Sequence, residues 1–192
     1  MKNTKRVIQK ALALVFAVGV LVSPSVVRAA TASANTTINA TIASVISIST
    51  SGTVAIAITP IAGGSQTSAS DTVTVSTNNA AGYDLTLANS DATLTLVNGA
   101  NTIGAHAGTY AAPTALANNT WGYAVGGLGS FDASYTTLTN ATTSTTKWSG
   151  VPSSASPQNI KSTATVASGD TTTVWYAVKA DTTKPNGVYT DT

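Results

Sequence analysis

The fold of this chain is decided by the stretch Asn119-Thr120-Trp121-Gly122-Tyr123-Ala124-Val125. Its Trp, Tyr and Val residues alternate with Gly and Ala, which is the period-two pattern of a strand with one buried face. Large aromatic residues are scarce in this Thr-, Ser- and Ala-rich sequence, and two of them fall here. We therefore predict that this strand anchors the core and that the other strands are arranged around it.

The chain begins with the three parts of a secretory signal peptide, over residues 1–34. A basic start is followed by an uninterrupted apolar run, residues 11–22, and then by small residues that suit a cleavage site. Cuts after Ala29 or Ala32 are alternatives to the one after Ala34 that we adopt. The apolar run is short against the roughly 20 residues that a membrane-spanning helix needs, so we expect no membrane span in the mature chain.

Removal of the signal peptide reverses the net charge. Residues 35–192 contain four lysines, seven aspartates and neither Arg nor Glu, so their formal net charge is −3, against +2 for the whole sequence. A nucleic-acid partner would require a basic surface, and we expect none. The sequence is also cysteine-free, so an exported chain of this kind must be held together by burial and by sheet hydrogen bonds rather than by disulfides.

Alternating stretches separated by turn residues predict eight to ten short strands and no helix, so the predicted fold class is all-β. The predicted strands fall within residues 36–49, 54–58, 71–77, 83–87, 94–96, 121–125, 131–138, 162–167, 171–179 and 188–190. Asn98-Gly99 predicts a tight hairpin, whereas residues 61–70 and 103–119 are predicted loops. We expect one domain, residues 35–192, and favour a sandwich over a barrel because no strict repeat supports closure.

Two C-terminal motifs are Ser168-Gly169-Asp170, followed by the alternating residues 171–179, and Pro185-Asn186-Gly187-Val188-Tyr189-Thr190. They resemble the last strands of immunoglobulin-like sandwich domains in bacterial cell-surface proteins, including adhesins and pilin-like subunits. The resemblance covers about the last seventy residues and implies an immunoglobulin-like antiparallel β-sandwich at the cell surface.

The sequence stops a few residues into the closing strand that the resemblance implies. It is therefore either a fragment or a sandwich with an open edge. An open edge next to a long N-terminal strand, residues 36–49, would permit strand exchange between subunits.

Side chains that support catalysis or bind metals are scarce, so we expect no enzymatic activity, no cofactor and no metal site. His106 is the sole histidine, in a loop of small residues, and we interpret it as a surface residue. The aspartates fall mainly at turns, where Asp bonds its own backbone. Calcium binding through Asp170, Asp181 and Asn186 remains an alternative, although no EF-hand run is present.

Trp148, Trp175, Trp121 and Tyr123 are the candidates for an aromatic platform that stacks on sugars, although we favour packing of these side chains in the core. We expect a secreted, cell-surface, structural or adhesive protein without catalytic activity. The alternatives are a pilus-like or fibre subunit that assembles by β-strand exchange, and a carbohydrate-binding module. The expected partners are further copies of the chain, paired at edge strands, or cell-surface glycans and the cell wall.

Overall fold

The structure, a computed structural model, describes residues 31–91 and 93–191. It divides into two units, Met1–Thr41 and Ile42–Thr192. In the first unit, the described residues 31–41 form neither helix nor strand, and all their side chains are exposed. The rest of the predicted signal peptide, residues 1–30, lies outside the described residues. The second unit contains every strand described below.

The second unit is all-β, with no helix among its described residues. In chain order its strands are β1 (Ile46–Ser49), β2 (Ser65–Thr77), β3 (Asp84–Leu87), β4 (Thr95–Asn98), β5 (Asn101–Ala105), β6 (Thr114–Ala115), β7 (Thr120–Val125), β8 (Lys147–Trp148), β9 (Gln158–Ser162) and β10 (Ala167–Ala180). Six of them form one sheet in the order β1-β2-β10-β7-β5-β4, while β3 pairs with β9 and β6 pairs with β8. The predicted all-β class is confirmed.

The predicted antiparallel arrangement is wrong at one strand pair. β5 and β7 run parallel, with Gly104 opposite Thr120 and Ala105 opposite Trp121. Parallel neighbours need a long crossover connection, and residues 106–119, which include β6, supply it. The predicted loop over residues 103–119 therefore contains the end of β5 and all of β6. The six-stranded sheet is consequently mixed.

β7 confirms the predicted central strand. Its residues from Trp121 to Val125 are all buried, and the side chain of Tyr123 is completely enclosed. β7 pairs with β10 over six residues, from Val174 opposite Val125 to Lys179 opposite Thr120. The two stretches with the clearest alternation in the sequence therefore lie side by side in the middle of the sheet.

Aromatic rings connect β7 to the segment that follows it. The ring of Phe131 contacts those of Tyr110, Tyr123 and Tyr135 edge-to-face, with centroid separations of 5.6, 6.0 and 6.2 Å. Tyr135 in turn contacts Trp148 at 5.3 Å. Edge-to-face pairs contribute about 0.5–1.5 kcal/mol each beyond their burial. This cluster holds a segment with little regular structure against the sheet.

The predicted loop over residues 61–70 is wrong in its second half, because β2 begins at Ser65. Ser68 is fully buried, and its hydroxyl donates to the carbonyl oxygen of Thr136 at 3.1 Å. The same hydroxyl accepts a hydrogen bond from the amide of Leu138 at 2.9 Å. Buried polar side chains are stable when they are hydrogen-bonded in this way, so this half of the strand needs no apolar alternation.

Other predicted strands differ from the structure in extent. Residues 36–45, 54–58 and 131–138 form no strand. Of the predicted strand 162–167, Ser162 ends β9, Ala167 begins β10 and the four residues between them form no strand. Residues 188–190 make one bridge, Thr190 to Val97. Residues 54–58 nevertheless alternate in burial, with Ile56 and Ile58 packed against the core.

The predicted hairpin is confirmed, because Asn98 pairs with Asn101 and Gly99 adopts a φ of 57°.

Two strand glycines provide a matched test of the packing around β7. A Cβ on Gly122 would lie 2.4 Å from the carbonyl oxygen of Ser149, whereas a Cβ on Gly104 would have no atom within 4 Å. We expect Gly122→Ala to lower the free energy of unfolding by about 1–3 kcal/mol, the usual cost of overpacking. Gly104→Ala should change it by no more than about 0.5 kcal/mol. Urea unfolding measures both, and equal effects would contradict this packing.

A buried hydroxyl on β10 predicts a stabilising substitution. Thr172 is 5% exposed, and its hydroxyl has no hydrogen-bond partner among the described residues. Because a buried unpaired polar group costs about 1–3 kcal/mol, Thr172→Val should raise the free energy of unfolding by about 1 kcal/mol. The exposed neighbour Thr171 is the control, since Thr171→Val removes a hydrated hydroxyl. Loss of stability in Thr172→Val would show that this hydroxyl is satisfied.

Candidate functional site

His106 is buried rather than exposed, so its interpretation as a surface residue is wrong. Its side chain is 7% exposed, its Nδ1 accepts the amide of Ala117 at 3.4 Å, and its Nε2 lies 2.9 Å from the hydroxyl of Thr114. Because Nδ1 accepts, this network assigns the ring proton to Nε2, which donates to Thr114. Burial lowers the pKa of His106 and keeps the ring neutral. The residue holds the connection between β5 and β7 together.

No group of three or more His, Cys, Asp or Glu side chains is placed to bind a metal in the part of the chain that the structure describes. Both aspartates of the calcium alternative make hydrogen bonds to other residues of the chain. Asp170 bonds Lys161 and Tyr83, while Asp181 accepts hydrogen bonds from the amide and the hydroxyl of Thr183. These contacts correspond to ion pairing and turn formation.

The four candidate aromatic residues do not form one platform. Trp148 and Tyr123 are 0% exposed and Trp121 is 9% exposed, so these three belong to the core. The indole nitrogens of Trp148 and Trp121 donate inward, to the hydroxyl of Thr146 and the carbonyl oxygen of Leu94. Trp175 differs, because it is only partly buried and packs against the core without being part of it. Of the four, it is the one that a ligand can reach.

A cleft of about 450 Å³ lies beside Trp175. It forms where β7 ends, because the pairing of β7 with β10 stops at Val125 opposite Val174. The preceding residues of β10, Thr171–Thr173, line one side of the cleft, and Leu128 in the loop after β7 lines another. We call this feature the Trp175 cleft. Alternation in the sequence predicts that Trp175 and Tyr176 point to opposite faces, but it does not predict the cleft, which depends on where the neighbouring strand stops.

Lys161 of β9 also lines the Trp175 cleft, and its charge is compensated. Its Nζ lies 2.7 Å from Oδ1 of Asp170 and donates to the carbonyl oxygen of Thr171 at 3.2 Å. The other carboxylate oxygen of Asp170 accepts the hydroxyl of Tyr83 at 2.8 Å. The hydrogen bonds from Lys161 and Tyr83 lower the pKa of Asp170, and burial followed by the contact with Asp170 raises the pKa of Tyr83 to about 12.

The edge strand β1 presents apolar side chains to solvent. In β1, Ile46 and Ile48 are 61% and 62% exposed, although their partners on β2, Thr77 and Val75, are only 6% and 2% exposed. Directly paired residues of antiparallel strands have their side chains on the same face. The face of the sheet that packs into the core therefore continues onto β1, where the described residues leave it uncovered.

The other edge of the sheet carries the C-terminal segment. Thr190 pairs with Val97 of β4 through hydrogen bonds of 2.8 and 3.0 Å, and Val97 and Val188 are 37% and 79% exposed. Within one molecule, the C-terminal residues and β1 therefore lie at opposite edges of the sheet. The expectation that the open edge left by the closing strand lies next to the N-terminal strand is wrong, although β1 is itself an edge strand. Residues 31–91 and 93–191 include no helix that could span a membrane.

The buried histidine predicts a pH dependence of stability. Since the pKa of folded His106 is lowered, the unfolded chain binds a proton that the folded chain excludes, and stability rises with pH. This contribution is complete above about pH 6.5 and is lost as the pH falls towards the folded pKa. We expect the free energy of unfolding, measured by urea titration, to decrease between about pH 6.5 and pH 5. In His106→Gln the decrease should disappear, and its persistence there would assign it to another group.

Comparison with known proteins found no family model, no curated protein and no solved structure that matches this chain.

Proposed function

We propose that the protein is an exported, non-catalytic structural subunit of the cell surface that assembles with further copies of itself through the edge strand β1. The observation that carries the proposal is the uncovered core face on β1, where Ile46 and Ile48 are about three-fifths exposed. Burial of these side chains by a neighbouring subunit would be favourable at roughly 25 cal/mol per Å² of apolar surface. A strand from the neighbour would also satisfy the outer backbone groups of β1.

The sequence of the β1 edge favours pairing. Natural sheets protect exposed edges with lysine, proline, bulges or inward-pointing charges. Residues 42–49, Ile-Ala-Ser-Val-Ile-Ser-Ile-Ser, contain neither charge nor proline, and the register between β1 and β2 is regular over all four residue pairs. An unprotected edge of this kind is a liability in a monomer and an advantage in a subunit that assembles.

The opposite edge supplies a complementary surface. β4 is also uncharged, it is paired on its outer side by the single bridge from Thr190, and it exposes Val97 beside Val188. Contact between the β1 edge of one subunit and the β4 edge of the next joins two different surfaces. Such a heterologous contact, repeated, gives an open filament, or a ring where the rotation between subunits closes, rather than a two-fold dimer. We therefore assign assembly by strand addition, head to tail.

The location and the fold family belong to the same proposal. Export is supported by the signal-peptide pattern of residues 1–34, and a surface role is supported by the resemblance to immunoglobulin-like domains of adhesins and pilin-like subunits. Leu85 of β3 and Ile160 of β9 share one core with Val75 and Val174 of the large sheet. A small sheet that packs on a larger one is compatible with a two-layer sandwich.

Charge introduced at the β1 edge tests the assembly. We expect residues 35–192 to form oligomers or filaments as the protein concentration rises, and the double variant Ile46→Lys/Ile48→Lys to remain monomeric. Lysine at an edge is tolerated by the monomer but opposes pairing. Size-exclusion chromatography with light scattering measures the mass, and electron microscopy shows whether the assemblies are filaments.

Val166→Lys is the matched control for the lysine substitutions. Val166 is 60% exposed and precedes β10, which β2 separates from β1. This variant should assemble like the unsubstituted protein. A protein that stays monomeric at high concentration contradicts the proposal, as does an Ile46→Lys/Ile48→Lys variant that assembles normally.

A further inference from the structure

We infer that the Trp175 cleft is a binding site for a neutral carbohydrate. Trp175 is partly exposed beside the cleft, whereas Trp121 and Trp148 are committed to the core. An indole ring at the margin of a polar cleft offers an apolar face to the C–H groups of a sugar ring. The same ring remains close to groups that bond sugar hydroxyls.

The lining of the cleft is polar and uncharged overall. Thr171 and Thr173 are exposed and contribute hydroxyls, and Leu128 contributes an apolar wall. Lys161 has its charge compensated by Asp170 at 2.7 Å, but an ammonium group has three donor hydrogens and can bond a further oxygen. An anion would meet no uncompensated cation here. A ligand with many hydroxyls and no charge fits this lining best.

The site is held in shape before any ligand binds. Thr171 and Thr173 are paired with Thr74 and Thr72 of β2, so the β10 side of the cleft is part of the sheet. The ion pair between Lys161 and Asp170 connects β9 to the start of β10. The volume of about 450 Å³ lies within the range of about 300–1,000 Å³ that is typical of ligand sites. A short stretch of a polysaccharide chain would therefore lose little free energy to rearrangement of the protein.

The site is independent of the assembly surface, because β10 is separated from β1 by β2. The inference on the Trp175 cleft therefore goes beyond the proposed function and does not rest on it. If the subunits do assemble, each copy presents one cleft, and the repeated sites would bind a polysaccharide with an avidity greater than the affinity of any single site.

Binding should be measured on the Ile46→Lys/Ile48→Lys background, so that assembly does not affect the result. The probes are cellohexaose, maltohexaose and chitohexaose, each titrated to millimolar concentration by isothermal calorimetry and followed by tryptophan fluorescence. We expect at least one of them to bind and to perturb the emission. Trp175→Ala should weaken that binding at least tenfold, whereas the matched core variant Trp148→Phe should retain it if its circular dichroism is native.

A second variant distinguishes loss of the binding site from a folding defect in Trp175→Ala. Thr173→Arg places a long side chain on an exposed cleft position without disturbing the core, and it should also weaken binding at least tenfold. The inference is overturned if none of the three hexasaccharides binds, or if both variants bind as well as their parent. Preferential binding of the acidic polymer polygalacturonate would also overturn it, because it would show that Lys161 acts as an anion site.

Discussion

The pairing of β7 with β10 is the interaction on which the rest of the structure depends. A cysteine-free chain with few charged residues has neither disulfides nor an extensive ion-pair network, so it relies on burial and on backbone hydrogen bonds. Both are concentrated where the two strands run side by side from Val125 and Val174 to Thr120 and Lys179. The aromatic cluster around Phe131 is then built against Tyr123, and β2 is built against the other side of β10.

The end of this pairing creates the Trp175 cleft. β10 is fourteen residues long and β7 is six, so β10 extends past its partner. The loop after Val125 and the side chain of Lys161 lie beside the part of β10 that pairs with β2 but not with β7, and a polar cleft results. The β1 edge has a different origin, because β1 is added outside the buried Val75 and Thr77 of β2, where the described residues leave its core face uncovered. Ile46 and Ile48 extend the apolar face there without being buried.

Sequence patterns predicted those parts of the fold whose burial is apolar and local. β7, β3, most of β10 and the hairpin at Asn98-Gly99 follow from alternation and turn chemistry, as does the all-β class. The first half of β2 was missed because its buried residues are polar. Ser68 is satisfied by Leu138, 70 residues away, and no local pattern carries that information. The same reason applies to His106. Its neighbours in the sequence are small residues, which suggest an exposed loop, whereas the folded chain encloses its side chain.

The candidate sites were predicted only as residue types. The sequence named Trp148 and Trp175 together, and their surroundings distinguish them only in the folded chain, where one is enclosed and the other lines a cleft. Lys161 and Asp170 are nine residues apart and lie on different strands, so their ion pair depends on how β9 packs against the sheet. The alternation of isoleucines predicted a strand over residues 36–49, but it could not show that Ile46 and Ile48 would remain exposed.

Hydrogen–deuterium exchange on monomeric and assembled protein tests the central claim, that β1 is the edge through which subunits pair. Amides are protected when they enter a sheet, and exchange resolves that protection segment by segment. In the monomer, β2 already protects the amides of β1 that face it, and the outward-facing amides are exposed. We expect the peptide that covers residues 42–49 to exchange more slowly in the assembly than in the monomer, because the outward-facing amides then pair with the next subunit, while peptides from β7 remain protected in both. Assemblies in which residues 42–49 exchange as fast as in the monomer would contradict the account.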